Sequence, residues 1–109
     1  MTAVTHAALS FTTEWDSATD VRITVTGDID ASNADELAEY VFRRGANSRR
    51  LTLDMSGVGF FSTAGFSTLC TIHQRCLNAG VDWTLLGNAM TRRVVDICDP
   101  HRTLPLTAA

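Results

Sequence analysis

"RRLTLDMSGVGFFSTAGF", residues 49–66, decides the fold. In its first half Leu51 and Leu53 point inward on alternate positions, the period of a short β-strand over "RRLTLDM". The alternation then stops. From Met55 to Gln74 no Asp, Glu, Lys or Arg occurs, and Gly57, Gly59 and Gly65 surround the hydroxyl pair Ser62 and Thr63. Beyond the pair an apolar stripe at Phe66, Leu69, Cys70, His73, Cys76 and Leu77 predicts a helix through about Asn78, ended by Asn78 and Gly80. A strand that passes through a hydroxyl-bearing loop into a helix is the building unit of α/β folds. The junction of a strand's carboxyl end with a helix start is where those folds place ligands and contacts.

Working outward, Leu9, Phe11, Thr13 and Trp15 alternate, "DSATD" (16–20) is a turn cluster, and Val21, Ile23 and Val25 alternate again. These runs predict a β-hairpin. Asn33 and Glu36 stand at capping-box spacing before a helix whose inner stripe is Ala34, Leu37, Ala38 and Val41. Arg43 and Arg44 suit its negative end and Gly45 its stop. "VDWTLLG" (81–87) is nearly all apolar, as in a central strand buried on both faces. Asn88 caps a third helix, with Met90, Val94, Ile97 and Cys98 inward, Arg92 and Arg93 outward, and Pro100 as the stop. "TLPLTAA" is a short extended piece or a frayed tail. The expected architecture is a single α/β domain over residues 1–109, with residues 1–7 and 105–109 frayed. Its mixed sheet has four to five strands, an opening antiparallel hairpin with the rest mostly parallel, and about three helices.

The chain has 109 residues, a net charge of −3 and no Lys among its nine basic residues. An acidic balance disfavours non-specific nucleic-acid binding, which needs a basic field. "MTAVTHAALSF" has no basic segment and no long apolar run, so a secretory signal is not expected, and the cytoplasm is the default compartment. The uncharged run 55–74 is long enough to span a bilayer, but its glycines, hydroxyls and His73 argue against a membrane helix.

Three cysteines, Cys70, Cys76 and Cys98, make no disulfide framework. On one helix Cys70 and Cys76 would be ~9 Å apart in rise, beyond the roughly 7 Å a disulfide allows. The same spread stops Cys70, His73 and Cys76 from gathering around one tetrahedral metal, so no metal site is expected there. Buried thiols are the expected state, with Cys98 as the candidate if any redox role exists.

Hydrolysis by Ser62 or Thr63 would need a His base and a carboxylate. His6, His73 and His101 are poorly placed for it, and "GFFSTAG" breaks the nucleophile-elbow spacing. "SGVGFFSTAG" lacks the Lys of a phosphate-binding loop. Asp28 and Asp30 flank Ile29 at a strand end, either as an acid or metal pair or as a solvated turn. No catalytic residue and no cofactor are expected. One hydroxyl, Ser62 or Thr63, fits as the helix N-cap, worth about 1 kcal/mol. The other is free at the surface. A phosphoryl group on it would add about −1.5 to −2 charges beside the positive helix end, which the fold tolerates and a partner packed flush against the loop does not.

The chain resembles the STAS domain family, particularly the small anti-sigma factor antagonists, over nearly its full length. The family's strand ending Gly-Glu-Leu/Ile-Asp reads here Gly27-Asp28-Ile29-Asp30. Its D-x-S-x-V-x-F-x-D-S-x-G signature reads here Asp54 to Gly65, "DMSGVGFFSTAG". The resemblance places Thr63 at the family's phosphoacceptor serine, with Ser62 as second choice, and Ser62 at the Asp that precedes it. It implies a non-enzymatic bacterial transcription regulator, a monomer or weak homodimer. Such a protein binds an anti-sigma factor, typically a Ser/Thr kinase with an ATP site, so that a sigma factor is released until phosphorylation weakens the contact. The implied contact surface is Asp28, Ile29, Asp30, Phe61, Ser62, Thr63, Ala64, Gly65 and Phe66, with Phe61 or Phe66 as an apolar anchor. A second implied role is a STAS subunit docked on an ABC-transporter ATPase in lipid transport, since those proteins also use Thr in the loop. A STAS scaffold that is never phosphorylated is the third. Family members often end with another helix, which this sequence lacks after "TLPL", and a partner or second copy could supply that cover.

Overall fold

The computed structural model describes residues 8–99 and 103–108. Strands β1 (Ser10–Trp15), β2 (Asp20–Ile29), β3 (Arg50–Phe61), β4 (Asp82–Gly87) and β5 (Leu106–Ala108) form one sheet in the order β1-β2-β3-β4-β5. Only β1 and β2 pair antiparallel; every other pairing is parallel. Helices α1 (Ala34–Arg44), α2 (Thr63–Ala79) and α3 (Ala89–Cys98) fill the crossovers. This is the expected mixed sheet with three helices. Residues 1–7 and Pro100, on which fraying and a helix stop were expected, lie outside the described residues; of 105–109, Leu106–Ala108 form β5.

Strand alternation aims one set of side chains at the helices. Val21, Ile23 and Val25 of β2, Leu51, Leu53 and Met55 of β3, and Trp83 and Leu85 of β4 join one core cluster with Leu37, Val41, Leu69 and Ile72. Each such Leu or Ile taken out of water contributes roughly 1.5–3 kcal/mol. The opposite sheet face carries half-buried Arg22, Thr24, Thr52, Asp54, Thr84 and Leu86. β4 therefore lies inside the sheet but is fully buried on one face only, because just one sheet face receives helices.

Three local expectations change. In α1 the side chain of Asn33 makes no capping bond. Its Oδ1 accepts from the Asp30 N–H at 2.9 Å and its Nδ2 donates to the Asp28 carbonyl at 2.8 Å, so Asn33 ties the end of β2 to the helix, and no capping box with Glu36 forms. In α2 the buried face is Gly65, Thr68, Leu69, Ile72 and Cys76, which keeps Leu69 and Cys76 of the expected stripe but is turned away from Cys70 and Leu77. The hydroxyl of Thr68 can enter the core because it donates to the Ala64 carbonyl at 3.2 Å within the helix. Cys70 is exposed and Leu77 is 61% exposed. In α3 Thr91 and Val95 are buried, while Ile97 is 75% exposed and Met90, Val94 and Cys98 are half-buried. Thr91 turns inward because it lies against Gly87 and is tied to Asn88 by its amide (2.9 Å) and its hydroxyl (2.9 Å).

The remaining seams are polar. Tyr40 of α1 stacks on Phe11 of β1 at 4.4 Å and its hydroxyl meets Thr13 Oγ1 at 2.6 Å, which seats α1 on the hairpin. Buried Asp99 accepts from Thr103 N–H, Thr103 Oγ1 and Leu104 N–H, which brings Leu104 into the core ahead of β5. Gly80, left-handed at φ 70°, ends α2.

The corrected core face of α2 gives a direct test. Leu69→Ala should cost about 2–5 kcal/mol in urea unfolding, whereas Leu77→Ala should change stability by less than about 0.5 kcal/mol.

Candidate interaction site

β3 does not stop at Met55. It runs on through Gly57–Phe61, paired with Thr26–Ile29 of β2, and two register shifts interrupt that pairing. Each shift inserts one extra residue on the β3 side, the signature of a β-bulge. Buried positions accordingly pass from a spacing of two (Leu51, Leu53, Met55) to a spacing of three (Met55, Val58, Phe61). Of the glycines read as loop residues, Gly59 is the extra residue of the second bulge and Gly57 directly follows the first, at Met55–Ser56.

This phase decides which predicted contact residues reach solvent. Ile29 is 0% exposed, Phe61 is 3% exposed and Gly65 is buried, so these three build the core under the site. Gly65 is required there: a Cβ would stand 2.5 Å from the Phe61 ring and 3.0 Å from Ile29. The first turn of α2 thus rests directly on the ends of β2 and β3. Phe61 is therefore not a surface anchor. The exposed aromatic is its neighbour Phe60, 45% exposed, and Phe66 packs half-buried against the core. Sequence reasoning missed Phe60; the signal was present in Gly57 and Gly59, since glycine inside a strand pattern marks a bulge and a change of face.

The two hydroxyls part company. Ser62 is the N-cap residue of α2; its amide donates to the Ile29 carbonyl at 3.0 Å and its carbonyl accepts from Gly65 N–H at 3.0 Å. Its side chain makes no capping bond, and the buried Oγ has no hydrogen-bond partner among the described residues. The expected side-chain cap is absent because Ser62 holds its place through the backbone. Thr63, the first helical residue, is exposed. No acidic residue of α2 itself lies in that first turn.

Asp30 belongs to a turn: its carboxylate accepts from the Ser32 N–H (2.8 Å) and hydroxyl (2.5 Å), and its carbonyl receives Ala34 N–H at 3.0 Å. Asp28, half-buried, faces Gly59 across the second bulge, and a Cβ on Gly59 would lie 3.0 Å from its Oδ1. Asp54 repeats the Asp30 arrangement at the first bulge, accepting from Ser56 N–H (3.0 Å) and Oγ (2.6 Å). Burial pushes its carboxyl up, but the Ser56 bonds and the Arg22 guanidinium at 3.8 Å outweigh that and hold it below the usual carboxylate range. Its folded value is lowered, so its contribution to stability is present above the unfolded value and is lost as pH falls through the folded one. Asn88 closes the far side. It caps α3 at Thr91 N–H and donates through Nδ2 to the carbonyls of Ser56 (3.2 Å) and Val58 (2.8 Å), the part of β3 that β4 does not cover.

The cysteines and His73 separate. Cys76 is buried, and burial pushes its thiol up to about 11. Cys70, expected buried, is exposed, and partial desolvation, then Asp99 and Cys98, raise its thiol. Cys98 is half-buried on α3. His73 Nδ1 accepts from Trp83 Nε1 at 3.0 Å, so its ring turns toward β4. Among the described residues no group of His, Cys, Asp and Glu is arranged to hold a metal ion, and no helix is long and apolar enough to cross a membrane.

The profile of the STAS domain matches residues 14–106. The chain belongs to the STAS domain family. It is 36% identical over 78 residues to "Osmosensory protein A" of Mycobacterium tuberculosis, covering 71% of this chain and 49% of that protein. The chain thus spans about half the length of this curated relative. Among solved structures, an anti-sigma factor antagonist from Mycobacterium paratuberculosis superposes with a TM-score of 0.76 at 22% identity, over 91% of this chain and 85% of that one. The anti-sigma factor antagonist SpoIIAA in its unphosphorylated form gives 0.74 at 13% identity, over 92% and 88%. Its phosphorylated form from Bacillus gives 0.66 at 13%, over 92% and 91%. At these identities the solved structures establish the STAS fold.

The two N-cap residues should respond oppositely to truncation. Asn88→Ala should cost about 1–2 kcal/mol in urea unfolding, since it removes a cap and two bonds to β3. Ser62→Ala should be neutral or slightly stabilising, because it removes a buried hydroxyl that makes no bond.

Proposed function

We propose that this chain is an anti-sigma factor antagonist whose contact surface is centred on Thr63. It binds an anti-sigma factor through Thr63, Phe60, Asp28 and the outward side of the first turn of α2, and a phosphoryl group on Thr63 weakens that binding. The observation that carries the reading is the division of labour in the hydroxyl pair: Thr63 is exposed at the first turn of a 17-residue helix while the Ser62 hydroxyl is buried. The role of the structural neighbours supports it.

The physics is that of a flush interface. The phosphoryl charge is favourable at the helix N-terminus, so the fold keeps its shape. The same group obstructs a partner packed on Phe60 and the loop, and leaves charge to desolvate at the contact. Phe60 supplies the apolar anchor in place of Phe61. Ile29, Phe61 and Gly65 act through position, by holding Thr63 at the rim. The partner is an anti-sigma factor of the ATP-binding Ser/Thr kinase type. The protein acts in the bacterial cytoplasm by binding rather than catalysis, without a cofactor, as a monomer or weak homodimer.

The test is calorimetric titration against the anti-sigma factor recovered from the native organism. Thr63→Asp should weaken binding at least tenfold, or about 1.4 kcal/mol, and Thr63→Ala should leave it within threefold. Unchanged affinity of Thr63→Asp overturns the switch. Incubation with the partner kinase and ATP should place phosphate on Thr63 by mass spectrometry; phosphate on Ser62 contradicts the assignment.

A further inference from the structure

At the end of the domain away from Thr63, a cavity of about 190 Å³ opens between the C-terminal turns of α1 and α2 and the start of β3. Val41, Phe42, Leu51, Cys76 and Val81 line it. That volume matches one small ring or a short branched chain, since a cavity of about 150 Å³ already accepts benzene. Its wall is fixed by local structure: Asn47 is left-handed at φ 69° and Ser48 Oγ donates to the Gly45 carbonyl at 2.7 Å.

One charged group lines this cavity, the guanidinium of Arg75. It lies over the Phe42 ring at 4.5 Å from the centroid, and among the described residues it has no carboxylate partner. The ring contact holds the guanidinium beside the cavity, and a guanidinium carries N–H donors that can grip a carboxylate with two parallel bonds. No acidic residue lines the cavity to repel an anion. An apolar chamber of one-ring size with a single uncompensated cation fits one chemical class.

We propose that this cavity binds a small monocarboxylate with a compact apolar body, about the size of benzoate, the body seated against Phe42, Leu51 and Val81 and the carboxylate on Arg75. The site is independent of the partner surface. Thr63 and Ala79 stand at opposite ends of α2, ~24 Å apart along its axis, so a ligand here does not touch the proposed switch.

Sodium benzoate titrated into the ¹⁵N-labelled chain tests it. Amides of 41–48 and 75–81 should shift saturably, with a dissociation constant on the order of 1 mM. Benzyl alcohol, which keeps the ring without the charge, and acetate, which keeps the charge without the body, should each bind about tenfold more weakly or less. Arg75→Gln, at an exposed position, should weaken benzoate about tenfold and leave benzyl alcohol unchanged. Ala79→Phe, which fills the mouth from the end of α2, should abolish saturable binding; if that variant does not fold, Arg75→Gln alone decides. No saturable shift up to about 20 mM benzoate, equal binding by Arg75→Gln, or shifts scattered over the surface would overturn the proposal.

Discussion

The structure depends on the contact between Gly65 and the Phe61 ring. Helix α2 begins on top of the strand ends, with its first turn close enough to Phe61 and Ile29 that no side chain fits at position 65. Phe61 can be under that helix only because two bulges re-phase β3, which takes the buried positions from Met55 to Val58 to Phe61. The same phase turns Phe60 outward and fixes the rotation of α2, so that Leu69, Ile72 and Cys76 face the core and Leu77 does not.

The site follows from that constraint. Once Phe61 is buried and the helix starts at Thr63, the Ser62 backbone must bridge Ile29 and Gly65, which leaves its hydroxyl enclosed. Thr63 then stands at the rim, at the positive end of a long helix dipole. Asn33 and Asn88 brace the two flanks by spending side-chain amides on strand carbonyls. Packing and backbone bonds hold the platform, so the proposed phosphoryl group at Thr63 would add charge outside the core. That is what a surface switch needs.

Much of this was legible. Alternation gave the hairpin and the core-facing side of β3, and the Asp54–Gly65 stretch marked the passage from strand into helix. Legibility failed where one residue had two duties. Asn33 has cap spacing, but its amide is taken by the end of β2. Gly57 and Gly59 look like loop, since bulged strand and loop share residues that tolerate broken alternation. Hydrophobicity alone found Leu69 and Cys76 but set the inner face of α2 too far round, because a buried Thr68 bonded to its own helix does not register as core and an exposed Leu77 does. In α3 the small Gly87 drew Thr91 inward in the same way. Ser62 and Thr63 are nearly alike as letters, and only three-dimensional phase tells the enclosed hydroxyl from the exposed one.

Residues 57–61 are ordered sheet that holds Thr63 through the N-cap Ser62, not a free loop. Native-state amide hydrogen exchange measures this directly at the Ser62 amide, which donates to Ile29. The account predicts protection there comparable to the core of β3 at Leu51 and Leu53, lost only with global unfolding. Exchange at Ser62 as fast as in the hairpin turn at 16–19 would contradict it.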